Sequence, residues 1–368
     1  MITNTQGLKL VRQVDESYPI IFGSDLFIDI AESLHPDKRY AIVTDSNVRA
    51  LYAEKLTDAL KKKELQSDVF SFPAGEQSKT IHTCTQIADE MSKLKFGRDS
   101  VILALGGGVV GDMAGLIASI FNRGIPYIQI PTTLLAQADS SIGGKTAVDS
   151  EYGKNLLGTF KQPLAVYIDI STLDTLPEKE IKNGLAETIK HGIIQDAGFF
   201  RRLEDIVCNL IAKEHEDLLY IARENCRIKG YVVEQDLHEK GLRRILNYGH
   251  TIGHALEKLS NYELTHGESV SMGMMVAARI AISISTGFSE ADLEKQRNLL
   301  QAAGLPISIP STIPDEVIIE STSRDKKAKC GKTRYCLPKS IGVMNDFNGE
   351  YATSVDDEIV LKALNETR

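Results

Sequence analysis

The stretch VILALGGGVVGDMAG, residues 101–115, joins a short apolar run to a cluster of glycines. Residues 101–105 predict a buried β-strand, and the residues after Gly111 predict a helix. Gly106, Gly108 and Gly111 have the G-x-G-x-x-G spacing, which allows a backbone to approach a pyrophosphate at a helix amino terminus. The stretch therefore predicts a nucleotide-binding turn, with a tight turn that binds no ligand as the alternative.

Strands and helices alternate around this turn. The pattern predicts strands at 40–45, 68–72, 101–105, 127–131 and 165–169, and helices at 48–65 and 80–96. Such alternation is typical of a doubly wound parallel sheet. The strand at 127–131 lacks the terminal acid of the Rossmann fingerprint, and the acid at a strand end is instead Asp45. We therefore expect a variant of the Rossmann scheme for binding a dinucleotide.

Helical periods dominate from about residue 175 to about residue 303. The predicted fold is therefore α/β plus all-α. A Rossmann-like, doubly wound N-terminal domain is expected over residues 1–175, and a mainly helical C-terminal domain over residues 176–368. Residues 325–345 predict a hairpin embedded in the helical domain.

The net charge of −8 argues against a general nucleic-acid binder, because such proteins usually present a basic face. No apolar run reaches the about 18 residues needed to span a membrane, and no signal peptide is visible. The five cysteines have no C-x-x-C spacing, which favours reduced thiols in a cytoplasmic protein. Cys330 and Cys336 flank a predicted turn, but the sequence does not require a bridge between them.

Two polar segments, 73–80 and 131–149, follow predicted strands, and a third, 151–163, comes soon after them. We expect them to form loops, which are the usual ligand-binding segments of α/β proteins. A solvated polar loop is the alternative reading of each. The pair of glycines before Lys145 and the scarcity of charge in SSIGGKT favour a binding role for the second segment.

Histidines collect in the stretch from Asn247 to Gly273. If residues 242–259 form one helix, a stripe about 60° wide carries Arg243, Asn247, His250 and His254. The opposite face is apolar. A solvated helix face usually carries Glu and Lys, so this stripe indicates a site. His266 begins a second helix that is apolar almost all round and is therefore expected to be buried.

Two histidines on connected helices suit a metal that accepts imidazole, such as zinc. A third ligand could come from residues 183–194, which offer both Glu187 and His191. The spacing does not choose between these two, nor between His250 and His254. The alternative is a set of histidines satisfied by neighbouring side chains without a metal.

Basic residues are scattered through the loops and along the stripe. Each alone is most simply a surface charge, but together they could hold a phosphate and a carboxylate. The set comprises Arg123, Lys145, Lys154, Lys229, Arg243, Lys326 and Lys327.

Six motifs are distributed over nearly the whole chain. They are GGGVVGDMAG (106–115), RGIPYIQIPTTLLAQADSSIGGKTAVD (123–149), GKNLLGTFKQP (153–163), GLAETIKHG (184–192), GLRRILNYGHTIGHALE (241–257) and THGESVSMGM (265–274). In combination they closely resemble the 3-dehydroquinate synthases, a family of sugar-phosphate cyclases. The resemblance implies an NAD-dependent carbon–oxygen lyase that also needs zinc or cobalt, with a nucleotide-binding α/β domain and a helical, metal-binding domain.

The family's reaction converts 3-deoxy-D-arabino-heptulosonate 7-phosphate, a phosphorylated keto-acid sugar, to 3-dehydroquinate and phosphate in the shikimate pathway of aromatic amino acid biosynthesis. The implied chemistry is a transient oxidation by NAD, elimination of phosphate, re-reduction and an intramolecular aldol reaction. The metal is expected to polarise the hydroxyl that is oxidised.

The resemblance also assigns the open residues. It implies that Glu187, His250 and His266 bind the metal, that His254 contacts the substrate, and that His191 has neither role. The implied NAD contacts are Asp45, Asn47, Glu76, Lys79, Gly107, Gly108, Asp112, Thr132, Thr133, Lys145, Lys154 and Thr172.

The implied substrate contacts are Asp139, Lys145, Asn155, Lys190, Lys229, Glu239, Arg243, Asn247, His254 and a lysine of the pair Lys326 and Lys327. Among these, Lys229 and Arg243 are implied to bind the substrate carboxylate. Arg123 resembles an arginine that reaches the phosphate site of a neighbouring subunit, which implies a homodimer. The sequence departs from the family at Leu237 and His238, where Glu-Arg or Glu-Lys is frequent.

Three rival functions share parts of this pattern. A polyol or glycerol-phosphate dehydrogenase would share the glycine-rich turn and the metal, but it would consume NAD stoichiometrically. A related cyclase would act on a sugar phosphate that lacks a carboxylate. An inactive nucleotide-binding module would be expected to lose ligands, and none of the mapped positions is lost.

Overall fold

The computed structural model describes residues 15–323 and 333–368. Eight strands lie in the first half of the chain: β1 (Ile20–Gly23), β2 (Arg39–Asp45), β3 (Gln66–Phe72), β4 (Ser100–Gly106), β5 (Tyr127–Pro131), β6 (Lys145–Ser150), β7 (Gly153–Phe160) and β8 (Val166–Asp169). Six of them form one parallel sheet in the order β1-β8-β5-β4-β2-β3. The predicted parallel sheet is confirmed, with β1 as an additional edge strand that the sequence pattern did not predict.

Thirteen helices are described, and the first five lie among the strands of the sheet. They are α1 (Phe27–Ser33), α2 (Ser46–Val48), α3 (Glu54–Lys62), α4 (Ile81–Lys93), α5 (Gly108–Ile120), α6 (Glu178–Gln195), α7 (Ala197–Ile211), α8 (His215–Gln235), α9 (His250–Leu259), α10 (His266–Ser283), α11 (Glu290–Ala302), α12 (Asp315–Ser323) and α13 (Asp357–Asn365). The predicted helix at 48–65 is interrupted by a π-helical segment, Arg49–Ala53, that precedes α3.

Both faces of the sheet are covered, because alternate residues of each strand point to opposite sides. Ala41 and Val43 of β2 belong to the core that contains α4 and α5. Tyr40 and Ile42 belong to the other core, which contains α1 and α3. The sheet is therefore doubly wound, as the strand and helix pattern predicts.

The carboxyl ends of the parallel strands lie along one edge of the sheet, which we call the carboxyl edge. The segments that follow β2, β3, β4, β5 and β8 at this edge contain most of the residues that the family resemblance assigns to NAD. The edge is where open α/β sheets bind their ligands. The parallel direction of the strands therefore brings five separate segments of chain to the carboxyl edge.

The prediction of loops is wrong for residues 145–160, which form an antiparallel hairpin of β6 and β7. The hairpin is held because Thr146 and Val148 alternate with more exposed residues and are buried, and β6 packs on α5. Four short strands follow late in the chain: β9 (Arg334–Tyr335), β10 (Pro338–Ser340), β11 (Val343–Met344) and β12 (Thr353–Ser354). The pair β10–β11 confirms a hairpin within the predicted region 325–345, of which residues 325–332 lie outside the described residues.

The helices from α6 onward pack around a large apolar core of their own, to which Leu134, Ile170 and Leu173 contribute from the first half. The change from sheet to helices falls between Asp169 and Glu178. The domain boundary at 175 stays a prediction. Among the described residues, no helix combines the length and the apolar character that crossing a membrane requires.

The prediction of one continuous helix over residues 242–259 is also wrong. A 3-10 helix spans Leu242–Asn247, and α9 begins only at His250. Between them Gly249 has a φ of +77°, in the left-handed region that favours glycine. A Cβ atom there would also lie 2.5 Å from Cγ of Met274, so a larger residue would push α10 away. The predicted stripe of four residues is therefore divided between two elements.

Candidate metal and nucleotide site

Three side chains from three helices meet beside the carboxyl edge. Glu187 of α6 is fully buried, and its Oε1 lies 3.4 Å from Nε2 of His250 and 3.4 Å from Nε2 of His266. With these three ligand atoms all within 4.8 Å of one another, the group could hold a metal ion. Oε1 of Glu187 makes no hydrogen bond with any described residue, which is uncommon for a buried carboxylate oxygen.

The outer nitrogens of both histidines have partners of their own. His250 Nδ1 lies 3.1 Å from the carbonyl oxygen of Tyr248, and since a carbonyl only accepts, Nδ1 carries the proton. His266 Nδ1 lies 3.6 Å from Oε2 of Glu257. Partners of this kind orient metal-binding histidines and leave Nε2 to the metal. One carboxylate and two imidazoles suit zinc, with a position left for substrate.

The negative charge of Glu187 is compensated by the positive charges around it. Burial raises the pKa of Glu187, but the charge of Lys190 and the two histidines outweigh burial and hold that pKa well below its usual range. Burial lowers the pKa of His266, yet its contacts with the carboxylates of Glu187 and Glu257 raise it to about 9. A metal that binds here would therefore displace a proton from His266, and its affinity would fall at low pH.

His191 and His254 lie near this group but in different surroundings. His191 is buried, and its Nδ1 lies 2.9 Å from Oδ1 of Asn225. Burial and the charge of Lys190 lower the pKa of His191 to about 4, so the imidazole is neutral. The ring of His254 lies 5.2 Å from the ring of His250. Both histidines belong to further three-residue groups that could hold a metal, one with Asp139 and Glu187 and one with Glu257 and His266.

The first group fits a metal better than these two alternatives. Asp139 is paired with Lys229 at 2.8 Å, and Glu257 accepts a hydrogen bond from Lys154 at 2.8 Å. An ammonium group so close would compete with a metal for the same carboxylate. Glu187 also pairs with Lys190, through Oε2, which leaves Oε1 facing the two imidazoles. The assignment of metal ligands stays a prediction that this geometry supports.

Buried cations line the side of the site next to Asp139. Burial lowers the pKa of Lys229, although Asp139 opposes this effect. Arg243 is 1% exposed, and it donates to the carbonyl oxygens of Leu237 and Gly143 at 2.6 and 3.1 Å. Among the described residues, no carboxylate forms an ion pair with Arg243. A buried guanidinium held only by carbonyl groups favours the binding of an anion.

Glu239 joins two other predicted substrate contacts. Lys145 forms an ion pair with it, and Asn247 Nδ2 donates to its Oε1 at 2.6 Å. Glu239 itself has a φ of +56°, a strained conformation for a residue with a side chain. The structure thus brings together residues from β6, from the loop after α8 and from the 3-10 helix.

Lys79 and Lys154 organise the carboxyl edge. Lys79 is 5% exposed, pairs with Asp112 at 2.7 Å and donates to Oδ1 of Asn155 at 2.6 Å. Lys154 lies 3.2 Å from Glu76. Burial lowers the pKa of Lys79, but Asp112 and Glu76 outweigh burial and raise it. Both lysines are therefore charged, as the binding of a pyrophosphate would require.

Backbone geometry at this edge also suits a nucleotide. Asp45 accepts hydrogen bonds from the backbone of Asn47 and Val48 and so begins α2. Gly107 precedes α5, and a Cβ atom on Gly107 would lie 3.0 Å from the Thr133 side chain. The remaining space is small, so only glycine permits a close approach of ligand to backbone here.

The other predicted NAD contacts at this edge differ in whether their polar atoms already form hydrogen bonds within the protein. Oγ1 of Thr132 is buried without a hydrogen-bond partner among the described residues. Thr133 Oγ1 accepts from the backbone of Ala136 at 3.2 Å. Thr172 Oγ1 already donates to the carbonyl of Asp169 at 2.7 Å, and its role toward NAD stays a prediction. A Cβ atom on Gly108 would lie 3.1 Å from Oγ of Ser140.

Arg123 is a predicted site residue that lies away from this constellation. Arg123 is exposed, and it follows α5 at the end opposite to Gly108, the residue at the carboxyl edge. Helix α5 has 13 residues, so at 1.5 Å per residue its ends are roughly 20 Å apart. Lys326 and Lys327 lie outside the described residues, so their predicted role is not tested.

Glu257 is a site residue that the sequence reasoning missed. It is 7% exposed and contacts both Lys154 and His266. A signal was present, because Glu257 lies seven residues after His250 and three after His254. Both spacings place it on the same side of a helix as the histidines. Asn225, which fixes the orientation of His191, left no such signal in the sequence.

Comparison with known proteins agrees with this geometry. Residues 69–183 match the sequence model described as 3-dehydroquinate synthase N-terminal, and residues 184–328 match the one described as 3-dehydroquinate synthase C-terminal. A 3-dehydroquinate synthase of Desulforamulus reducens is 45% identical over 342 residues, which are 91% of this chain and 95% of that protein.

Two solved structures are similar over almost their whole length. ValA, a 2-epi-5-epi-valiolone synthase from Streptomyces hygroscopicus subsp. jinggangensis with NAD+ and Zn2+ bound, is 28% identical with a TM-score of 0.89, covering 98% of this chain and 99% of that chain. A 2-deoxy-scyllo-inosose synthase complexed with carbaglucose-6-phosphate, NAD+ and Co2+ is 28% identical with a TM-score of 0.86, covering 95% of this chain and 96% of that chain.

Proposed function

This chain belongs to the 3-dehydroquinate synthase family, and we propose that it converts 3-deoxy-D-arabino-heptulosonate 7-phosphate to 3-dehydroquinate and phosphate. The observation that carries the proposal is the convergence of Glu187, His250 and His266 beside the buried cations Lys229 and Arg243. A metal site next to an anion site is what a phosphorylated keto acid with a reacting hydroxyl requires.

The cofactors we propose are NAD and one Zn2+ or Co2+ ion. Support comes from the two similar structures, one with NAD+ and Zn2+ and the other with NAD+ and Co2+. The buried Oε1 of Glu187, which faces two imidazole nitrogens, fits such an ion. When bound, the metal polarises a substrate hydroxyl and the dinucleotide accepts and returns a hydride.

The protein's own residues bind and orient the substrate. Arg243 is held rigidly by two carbonyl groups, so it offers a fixed fork for a carboxylate. Lys229 lies beside it and is paired with Asp139, which keeps the lysine in place. Lys145 and Asn247 are both anchored on Glu239 and can donate to sugar oxygens. This pre-organisation lowers the entropy lost when the substrate binds.

We propose the carboxylated heptulosonate as substrate over a sugar phosphate that lacks a carboxylate. The support is the buried guanidinium of Arg243, which forms no ion pair with a carboxylate of residues 15–323 and 333–368, although the more distant charges of Glu239, Asp139 and Asp236 act on it. Leaving such a cation unpaired in a low-dielectric site is unfavourable, and a substrate carboxylate would relieve that.

A homodimer in the cytoplasm is part of the same proposal. Arg123 is exposed at the far end of α5 from the carboxyl edge, so an arginine there can serve a phosphate site only in another subunit. Cys84, Cys208 and Cys226 are free thiols, which suits a reducing compartment.

An assay of phosphate release tests the proposed function. The purified protein is incubated with Zn2+, NAD+ and the heptulosonate phosphate, and both phosphate and the carbocyclic product are quantified. We expect one 3-dehydroquinate per phosphate. A folded, metal-loaded protein that releases no phosphate would overturn the proposal.

A further inference from the structure

Glu257 lies between the two candidate cofactor sites and contacts both. Its Oε1 accepts a hydrogen bond from Lys154 at 2.8 Å, and its Oε2 lies 3.6 Å from Nδ1 of His266. The residue is 7% exposed, so solvent does not compete for these contacts. Each oxygen of one buried carboxylate thus faces a residue of a different site.

The contacts continue on both sides of Glu257. Lys154, on β7, lies 3.2 Å from Glu76 at the carboxyl edge and 4.5 Å from the centre of the Tyr262 ring. His266, on α10, directs Nε2 toward Glu187 at 3.4 Å. A continuous series of charged contacts therefore runs from the nucleotide edge of the sheet to the metal group.

The two oxygens of a carboxylate move as one rigid plane. A displacement that improves the contact with His266 also moves the oxygen that accepts from Lys154. A metal ion held by Nε2 of His266 would fix the imidazole ring in one orientation, which would hold Nδ1 against Oε2 of Glu257. Fixing Glu257 in turn fixes the ammonium group of Lys154, which is then ready for an anionic ligand.

We infer that Glu257 is a positioning residue that couples the metal site to the dinucleotide site, so that each ligand binds more tightly when the other is present. The inference depends on the proposed function for the identity of the two ligands. It gives a role to a residue that touches neither of them directly, and coupling of this kind is reciprocal by thermodynamic necessity.

The test compares binding constants, which need no turnover. Zn2+ affinity is measured by competition with a chromophoric chelator, and NAD+ affinity by calorimetry on metal-free and metal-loaded protein. In the unaltered protein, metal should tighten NAD+ binding by about fivefold or more, in the usual range of coupling. Glu257→Gln keeps the shape but removes the charge, so this ratio should fall close to one. Its Zn2+ affinity should fall about 10- to 100-fold.

Matched variants separate positioning from a general effect of charge. Glu263 is exposed and lies six residues away, so Glu263→Gln removes the same charge and should leave both affinities and the coupling ratio unchanged. Lys154→Met should abolish the coupling but keep the Zn2+ affinity of NAD-free protein. Lys258→Met, at an exposed neighbour of Glu257, should change neither. The Co2+ absorption spectrum should shift in Glu257→Gln and not in Glu263→Gln.

The result that overturns the inference is a coupling ratio in Glu257→Gln equal to that of the unaltered protein. An unaltered protein in which metal does not affect NAD+ affinity also overturns it. If Glu257→Gln fails to fold, Lys154→Met decides, because unchanged coupling in that variant contradicts the proposed connection. Since none of these readouts is activity, a failed phosphate-release assay would count against the proposed function and not against the coupling.

Discussion

A Cβ atom on Gly273 would stand 2.0 Å from the carbonyl oxygen of Gly249. The two glycines mark the place where α9 crosses α10, and they allow the two backbones to touch. Since α9 begins with His250 and α10 begins with His266, this contact sets the distance between two predicted metal ligands. The spacing of the metal group is thus determined by residues that carry no side chain.

Gly273→Ala should therefore disturb both stability and metal binding. The added methyl group forces the helices apart, and overpacking of this kind destabilises proteins by about 1–3 kcal/mol. Chemical denaturation and Zn2+ titration measure the two effects. Gly230→Ala on α8 is the control, because a Cβ atom there meets nothing within 4 Å. Ala is the better helix former, so Gly230→Ala should be neutral or stabilising. Equal stability and metal affinity in the two variants would contradict this account.

Glu187→Ala should lose most of its bound metal, whereas His191→Ala should retain it. Glu187 supplies the carboxylate that faces His250 and His266, while His191 is held by Asn225. Removing His191 leaves Oδ1 of the buried Asn225 without its partner, while Nδ2 still donates to Thr188, and should lower stability by about 1–3 kcal/mol. Metal content of the folded protein is measured after dialysis. If His191→Ala lost its metal and Glu187→Ala retained it, His191 would be the metal ligand in place of Glu187.

NAD+ should be required but not consumed. The hydride that the dinucleotide accepts early in the proposed reaction returns to the substrate later, so NADH does not accumulate. Absorbance at the NADH wavelength should stay level during many turnovers, while omission of NAD+ stops the reaction. A stoichiometric rise of NADH would favour the dehydrogenase alternative.

Arg123 should act on the neighbouring subunit. Chains with Arg123→Ala are mixed with chains with Lys145→Ala, and activity is measured after subunit exchange. If Arg123 serves the partner's site, one site of each mixed dimer is intact and activity returns to about a quarter of the unaltered value, given random pairing of equal amounts of the two chains. Exchange without recovered activity would show that Arg123 does not act in this way.

Arg243→Leu should raise KM and lower kcat for the heptulosonate phosphate and leave the metal content unchanged. Each hydrogen bond to a charged group contributes about 1.5–3 kcal/mol, so kcat/KM should fall at least about 10- to 100-fold. The unaltered protein should ignore glucose 6-phosphate and sedoheptulose 7-phosphate, which have no carboxylate. Comparable kcat/KM on either sugar phosphate would remove the basis for the carboxylate assignment.

The sequence predicted the parallel sheet well, because buried strands and amphipathic helices leave period and composition signals. It also predicted that two histidines and a third ligand form a metal site, but the choice between Glu187 and His191 depended on contacts between α6, α9 and α10 that no local pattern encodes. The family resemblance made the choice that the geometry now supports.

The errors have physical causes as well. Periodicity continued smoothly through residues 242–259, and the break at Gly249 is a property of its backbone that the apolar pattern does not register. The hairpin of β6 and β7 has the composition of a loop, because its buried residues, Thr146 and Val148, are few and one of them is polar. Glu257 lies on the same helix face as the histidines, but a single acid near the end of an amphipathic helix is common and does not by itself indicate a site.

The hairpin also limits how this protein can change over evolution. Lys145 pairs in register with Phe160, and the two strands connect through only two residues, Glu151 and Tyr152. Side chains of a strand alternate between faces, so the deletion or insertion of one residue within β7 would turn the side chains on one side of the change to the opposite face. A segment whose composition resembles a tolerant surface loop should therefore accept substitutions at its tip but no change in length between Lys145 and Phe160.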